Sequence, residues 1–359
     1  MLYHFPIMKN KKTVKISILI AITFTLLYII FAAKPLAKEY QFSPEWKINT
    51  SNPTIKDSQK DKMYFRLGQT LGYFTEDGDI SLFKTFPAKV AISDSFYATY
   101  DSNAKNTDFY FPDGRKAGTI QAAGYPFFKD NLIFAFLPGG NSFAKCNENG
   151  EIAWTYQGTM PLTAFSTNAN FTVAGLADGT IHIFNNDDGK IVSTFIPGGS
   201  QYPVILGIDI SDDGQYVASI SGHDQQRFVL SHKEAAQQKI IFHTFLNTDS
   251  PYQTIVHFCK DGKRVLYNYD NNLGIYDIST GQNTVIKLAS KVLSVDENDD
   301  FVFLLGKNKD TYTVSIIEKT NTLLGAFSFQ AETAFIHSQG TNLFVGKDNS
   351  ISKLSIVRE

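Results

Sequence analysis

The sequence predicts an all-β fold, a β-propeller of eight blades preceded by a single transmembrane helix. Three observations carry this prediction. An uncharged run extends from Ile16 to Ala33. A strand–turn–strand–turn–strand unit, clearest at residues 171–195, recurs along the rest of the chain. An orphan extended segment at residues 40–48 (YQFSPEWKI) stands ahead of the first unit, while the last unit, residues 331–356, is one strand short.

Lys9, Lys11, Lys12 and Lys15 precede the run ISILIAITFTLLYIIFAA. At about 1.5 Å per residue it spans about 27 Å, close to the ~30 Å of a hydrocarbon core. Thr23 and Thr25 are the only hydroxyl residues in its middle, and both can bond back to their own helix. The run is longer than the apolar core of a signal peptide, and IIFAAKPLA offers poor cleavage sites, so a retained anchor over 16–33 is expected. No Cys follows it to carry a lipid. The four lysines before the run outnumber Lys34 and Lys38 after it. The positive-inside rule then leaves residues 1–15 as a short cytoplasmic N-terminus. Residues 34–39 become a linker, and residues 40–359 a propeller on the outer, periplasmic side.

In the clearest unit, Phe171–Gly175 is an apolar strand, Thr180–Phe184 an alternating one and Lys190–Phe195 a third, with Ala177-Asp178-Gly179 and NNDDG as turns. The last turn of each unit is marked by Gly78, Gly114, Gly150, Gly189, Gly281 and Asn321, at intervals of 36, 36, 39, 92 and 40 residues. The interval of 92 holds two units. A period of this length with about four strands is what a propeller blade requires. Seven units plus the C-terminal set give eight blades, the N-terminal strand 40–48 completing the last one and removing its exposed edge. Seven is the count if residues 53–68 form no regular strands.

At the level of repeats, Gly175–Phe195 (GLADGTIHIFNNDDGKIVSTF) and Gly150–Tyr156 (GEIAWTY) resemble pyrroloquinoline-quinone-type propellers. Residues 208–219 (IDISDDGQYVAS), 257–266 (HFCKDGKRVL) and 275–281 (IYDISTG) resemble WD-repeat blades. The resemblance covers about residues 40–359 and implies the fold; both repeats recur across unrelated activities. Only one unit carries the quinone-type Trp, Trp154; the next has its equivalent near Val192, and no unit ends in Trp-Asp. The resemblance also implies two narrower alternatives. One is an envelope assembly factor like the propeller lipoprotein of barrel assembly, which is anchored through a Cys missing here. The other is a small-ligand sensor or divergent quinoprotein-like enzyme. Quinoprotein dehydrogenases carry adjacent cysteines and a calcium site, whereas Cys146 and Cys259 lie 113 positions apart. No cofactor is therefore expected. The two cysteines read as small buried apolar residues, a bond between them remaining open.

No catalytic constellation emerges. His4, His182, His223, His232, His243, His257 and His337 form no close ligand pair, so no metal is expected. His223-Asp224 reads as a polar turn, residues 296–300 (DENDD) as solvated turns, and the PGG segments at 138–140 and 197–199 as loops connecting blades. With 33 Lys+Arg against 35 Asp+Glu there is no basic field for nucleic acid. What remains is a non-enzymatic, membrane-anchored module that binds or scaffolds protein partners. Its candidate contact element is the polar insertion 231–238 (SHKEAAQQ), read as one or two helical turns within a loop, with His232, Lys233, Glu234, Gln237 and Gln238 as the contact residues.

Overall fold

The turn markers close hairpins. Gly78, Gly114, Gly150, Gly189, Gly281 and Asn321 all take positive φ, between 65° and 90°, at the last turn of six of the eight sheets. The computed structural model describes residues 11–32, 40–56, 58–87, 89–101, 103–235 and 237–358. It divides into two compact units, Met1–Phe42 with Ile356–Glu359, and Ser43–Ser355.

The first unit contains the helix Lys11–Ala32. Thr23 and Thr25 donate their hydroxyls to the carbonyls of Leu19 and Ala21, both at 2.9 Å. Among the described residues, no helix is long and apolar enough to cross a membrane. A helix does form over the segment expected to span, 16–33, as far as Ala32, and its described part begins at Lys11. Ala33, the linker 34–39 and residues 1–10 lie outside the described residues.

The second unit is built from eight antiparallel sheets, here blades 1 to 8 in chain order, as expected from the repeat. Blade 1 has three strands: Lys62–Leu67, Thr70–Thr75 and Ile80–Thr85. Blades 2 to 7 have four each. They run from Lys89–Ile92 to Lys116–Ile120, Tyr125–Lys129 to Ile152–Gln157, and Leu162–Thr167 to Ile191–Phe195. They continue from Ile205–Ile210 to Gln237–Phe245, Val256–Phe258 to Gln282–Lys287, and Lys291–Glu297 to Thr322–Gln330. Blade 8 combines Ala334–Gln339, Asn342–Lys347 and Ser350–Arg358 with the N-terminal strand Tyr40–Asn49 on its outside. The closure expected from the orphan segment is thus observed. Neighbouring blades touch in chain order, and blade 8 returns to blade 1 through Asn342 Nδ2, which donates to Glu76 at 2.8 Å.

The middle strands of most blades are largely buried and fill the space between blades with aromatic rings. Phe143 of blade 3 meets Phe165 and Phe184 of blade 4 edge-on at 5.2 and 5.4 Å. Burying such a ring contributes about 1.5–3 kcal/mol, and each well-oriented pair about 0.5–1.5 kcal/mol more. Trp154, on the outer strand of blade 3, donates to the Asn186 carbonyl in the last turn of blade 4 at 2.9 Å. Trp46, on the closing strand, does the same to Glu76 of blade 1 at 3.1 Å. The sequence reading found Trp154 alone, because the second tryptophan belongs to a blade assembled from both ends of the chain.

Two readings are corrected. Residues 231–238 are not helical turns: Arg227–Glu234 and Gln237–Phe245 form a hairpin whose ladder runs to the pairs Lys233–Gln238 and Glu234–Gln237. Ala235 takes φ 54° at its tip, the place a glycine or asparagine holds in the six marked blades, and it halves the long interval. The ladder supplies inter-strand partners that a helical turn would have to replace within eight residues, so the strand wins despite the Ala-rich composition. The Gly139–Gly140 loop lies inside blade 3, between Leu132–Phe136 and Ser142–Cys146, whereas Gly198–Gly199 does connect two blades. Cys146 and Cys259 are free and buried, which pushes their thiols up to about 11 and about 12, Glu297 adding to the effect at Cys259.

Ala235→Gly should raise stability by about 0.5–1 kcal/mol, because it relieves a left-handed Cβ at an exposed turn at the cost of some unfolded-state entropy. Gly189→Ala should lower it by about 3 kcal/mol, since its new Cβ would meet the Trp154 indole at 2.6 Å in a backbone of φ 70°. Denaturant titration of both variants checks the pair.

Candidate functional site

The first strand of each blade lies innermost, and alternation leaves one set of its side chains facing the axis rather than a neighbouring sheet. A polar residue at such a position must find a partner, and in this ring the partner is usually the next blade. Along blades 4, 5 and 6 these strands, with Lys129 of blade 3, border a cavity of about 370 Å³. Ser166, Asp209 and His257 supply much of its polar lining.

Asp209 is almost buried. Its Oδ1 accepts the Ser166 hydroxyl at 2.5 Å and its Oδ2 the Phe258 amide at 2.7 Å, so one carboxylate ties blade 5 to both neighbours. His257 stands 4.0 Å from Asp209 through Nδ1 and 3.1 Å from Glu297 of blade 7 through Nε2. Glu297, 2% exposed, accepts the Lys260 amide at 2.7 Å, and its second oxygen lies 4.0 Å from Lys319. Ser166 bonds the acid and not His257, so this group does not assemble the hydroxyl–imidazole pair that nucleophilic catalysis needs.

A second group closes the ring between blades 7, 8, 1 and 2. Asp296 accepts the Ser338 amide at 3.1 Å and its hydroxyl at 2.9 Å, and lies 3.3 Å from His337 Nδ1. The His337 ring meets Tyr64 edge-on at 4.6 Å, and the Tyr64 amide donates to Asp94 at 3.0 Å. Burial pushes the Asp296 carboxyl up, but the hydrogen bond and charge of His337, with Ser338 and the Glu297 amide, more than offset it and hold the group below its ordinary value. The reading of residues 296–300 as solvated turns is therefore corrected for Asp296 and Glu297. The sequence signal was their place just before the first turn of the blade, where Asp209 and His257 also fall. Among the described residues, no group of three or more His, Cys, Asp or Glu side chains is placed to hold a metal ion.

The expected contact residues are brought together elsewhere. His232, Lys233, Glu234, Gln237 and Gln238 sit at the tip of the blade 5 hairpin, away from the cavity. His232 packs against Tyr216 at 4.7 Å and Glu234 pairs with Lys239 at 3.2 Å. His223 belongs to a turn whose Asp224 receives the Ser200 hydroxyl. The loops that lead from one blade to the next carry exposed apolar side chains that sequence reasoning passed over. These include Met160, Ile196, Tyr202 and Tyr252, the last three 58, 66 and 64% exposed.

Comparison with known proteins agrees with this architecture. A family described as "beta-propeller protein" matches residues 8–359. An uncharacterized protein of Treponema pallidum (strain Nichols) is 26% identical over 98% of this chain and 97% of its own length. Among solved structures, BamB from Moraxella catarrhalis superposes with a TM-score of 0.61 at 12% identity, covering 88% of this chain and 100% of that one. The C-terminal WD40 domain of Sif2 gives 0.61 at 10% identity, covering 88% and 98%. At these identities the two structures share the fold alone. The chain belongs to the β-propeller protein family that its residues 8–359 match.

Asp296→Asn should lower stability at neutral pH. The native carboxyl is held below its unfolded value, so its stabilisation is present above about pH 4 and is lost as pH falls through the native value. The stability gap between wild type and variant, read from urea midpoints, should therefore narrow in acid. A gap that stays constant would refute the role given to Asp296.

Proposed function

We propose that this β-propeller family member is a non-enzymatic protein-binding scaffold, held at a membrane by its N-terminal helix with the propeller on the outer, periplasmic side. The observation that carries the reading is the set of blade-connecting loops. Ile196 and Tyr202 between blades 4 and 5, and Tyr252 between blades 5 and 6, stand in solvent at one end of the blades. Exposed tyrosine and aliphatic side chains on rigid supports are what protein interfaces use as anchors. The support is rigid because Gly222 and His223 bond the carbonyls of Val204 and Tyr202, both at 2.9 Å. The carboxylates at the axis are engaged by backbone amides of neighbouring blades, which suits a structural task better than proton transfer. The blade 5 hairpin tip, His232 to Gln238, provides a second contact element at the opposite end.

The membrane placement rests on the exposed apolar side chains of the helix, such as Ile20, Phe24 and Leu26, and on the lysine imbalance around the run. An envelope-assembly role is the narrower form of the same reading.

Crosslinking in the native membrane, followed by affinity purification of the full chain, tests it. A reproducible protein partner should co-purify, and Ile196→Ala with Tyr202→Ala should cut its recovery at least about tenfold without changing the melting temperature. Recovery of no partner, or equal recovery by the double variant, would overturn the scaffold reading.

A further inference from the structure

A second cavity, of about 390 Å³, opens at the blade-connecting end between blades 6 and 7. Tyr252 stands at one side, Asn268 at its floor, and Asn272, Lys287 and Lys291 around it. Asn268 is 2% exposed. Its Oδ1 accepts the Ile255 amide at 2.7 Å, which fixes the orientation of the carboxamide. The backbone amide of Asn268 in turn donates to the Ile255 carbonyl at 3.1 Å, so the residue is locked on both counts. The Thr254 hydroxyl in the same lining is buried and has no hydrogen-bond partner among the described residues, although such a group normally finds one. An unpartnered buried hydroxyl and a locked carboxamide therefore line an open cavity.

The rim supplies complementary chemistry. Lys287 and Lys291 form no ion pair among the described residues. Lys291 Nζ lies over the Tyr252 ring, 4.6 Å from its centroid, in a cation–π contact, while most of the tyrosine's surface stays in solvent. Asp270, the one acid of the lining, already receives the Thr248 hydroxyl at 3.0 Å. The cavity thus offers two cations, the carboxamides of Asn268 and Asn272, the Thr254 hydroxyl and an aromatic ring. Hydroxyls match the amides, an apolar sugar face matches the ring, and an anionic group matches the lysines.

We propose that this cavity binds a sugar bearing a carboxylate or phosphate. Asn268 and Asn272 bond its hydroxyls, Lys287 and Lys291 its anionic group, and Tyr252 one of its faces. The site shares Tyr252 with the loops on which protein binding rests, but Ile196 and Tyr202, whose replacement tests that reading, do not line it.

Calorimetric titration of the purified full chain with glucuronic acid and glucose 6-phosphate, against glucose and inorganic phosphate, provides the test. At least one acidic sugar should bind saturably below about 10 mM, and about tenfold more tightly than glucose or phosphate. The exposed substitutions Lys287→Ala and Lys291→Ala should each weaken binding about tenfold at unchanged melting temperature. Tyr252→Ala should weaken every sugar tested. No saturable binding of either acidic sugar, binding that survives the double lysine variant, or phosphate alone binding as tightly as glucose 6-phosphate would overturn the proposal.

Discussion

Lys353 receives one carboxylate from each side of the seam that closes the ring. Glu45 of the N-terminal strand lies 2.8 Å from its Nζ and Glu76 of blade 1 lies 3.2 Å away. Burial would lower the lysine's affinity for its proton, but the two acids outweigh it and hold its value up. Glu76 also accepts Asn342, and its carbonyl accepts Trp46, so residues far apart in sequence converge on one turn. Ser355 adds a hydroxyl bond to Glu45. Without this seam blades 1 and 8 would each present an unpaired face, and a small open sheet is marginal in water. The seam therefore turns a row of weak meanders into a mutually supporting ring.

The polar groups at the axis extend the same logic around the ring. Asp209, Glu297 and Asp296 each accept a main-chain amide from an adjacent blade. Hydrogen bonds to charged groups contribute roughly 1.5–3 kcal/mol, and an amide left unpaired in their absence costs about 1–3 kcal/mol. Such clasps fix the angle between blades more sharply than apolar packing, which tolerates sliding. They also release the blade-connecting loops from structural duty, and these loops carry the exposed tyrosines and the cavity beneath Tyr252.

The blades were legible in the sequence because hairpin turns need positive φ, and glycine and asparagine advertise it at Gly78, Gly114, Gly150, Gly189, Gly281 and Asn321. Blade 5 was half-hidden because Ala235 takes the same conformation without advertising it, and the alanine-rich segment around it mimics a helix. Strand 40–48 was legible as an orphan, yet the role of Trp46 was not, since its partners lie in blades 1 and 8. The burial of Asp296 and Glu297 escaped because acidic runs usually mark solvent, and only the packing of a neighbouring blade reverses that. The cavity at Asn268 had no sequence signal, as its walls come from strands and turns of two blades and the loop before them.

The account stands on the seam, and hydrogen exchange of the backbone tests it most directly. Residues 350–355 form the strand that the N-terminal segment covers. If closure by that segment sustains the ring, their paired amides should exchange only through global unfolding, as slowly as those of Val173–Gly175 in blade 4. Exchange of residues 350–355 through a local opening far faster than in blade 4 would show that the ring holds without the seam, and would contradict the account.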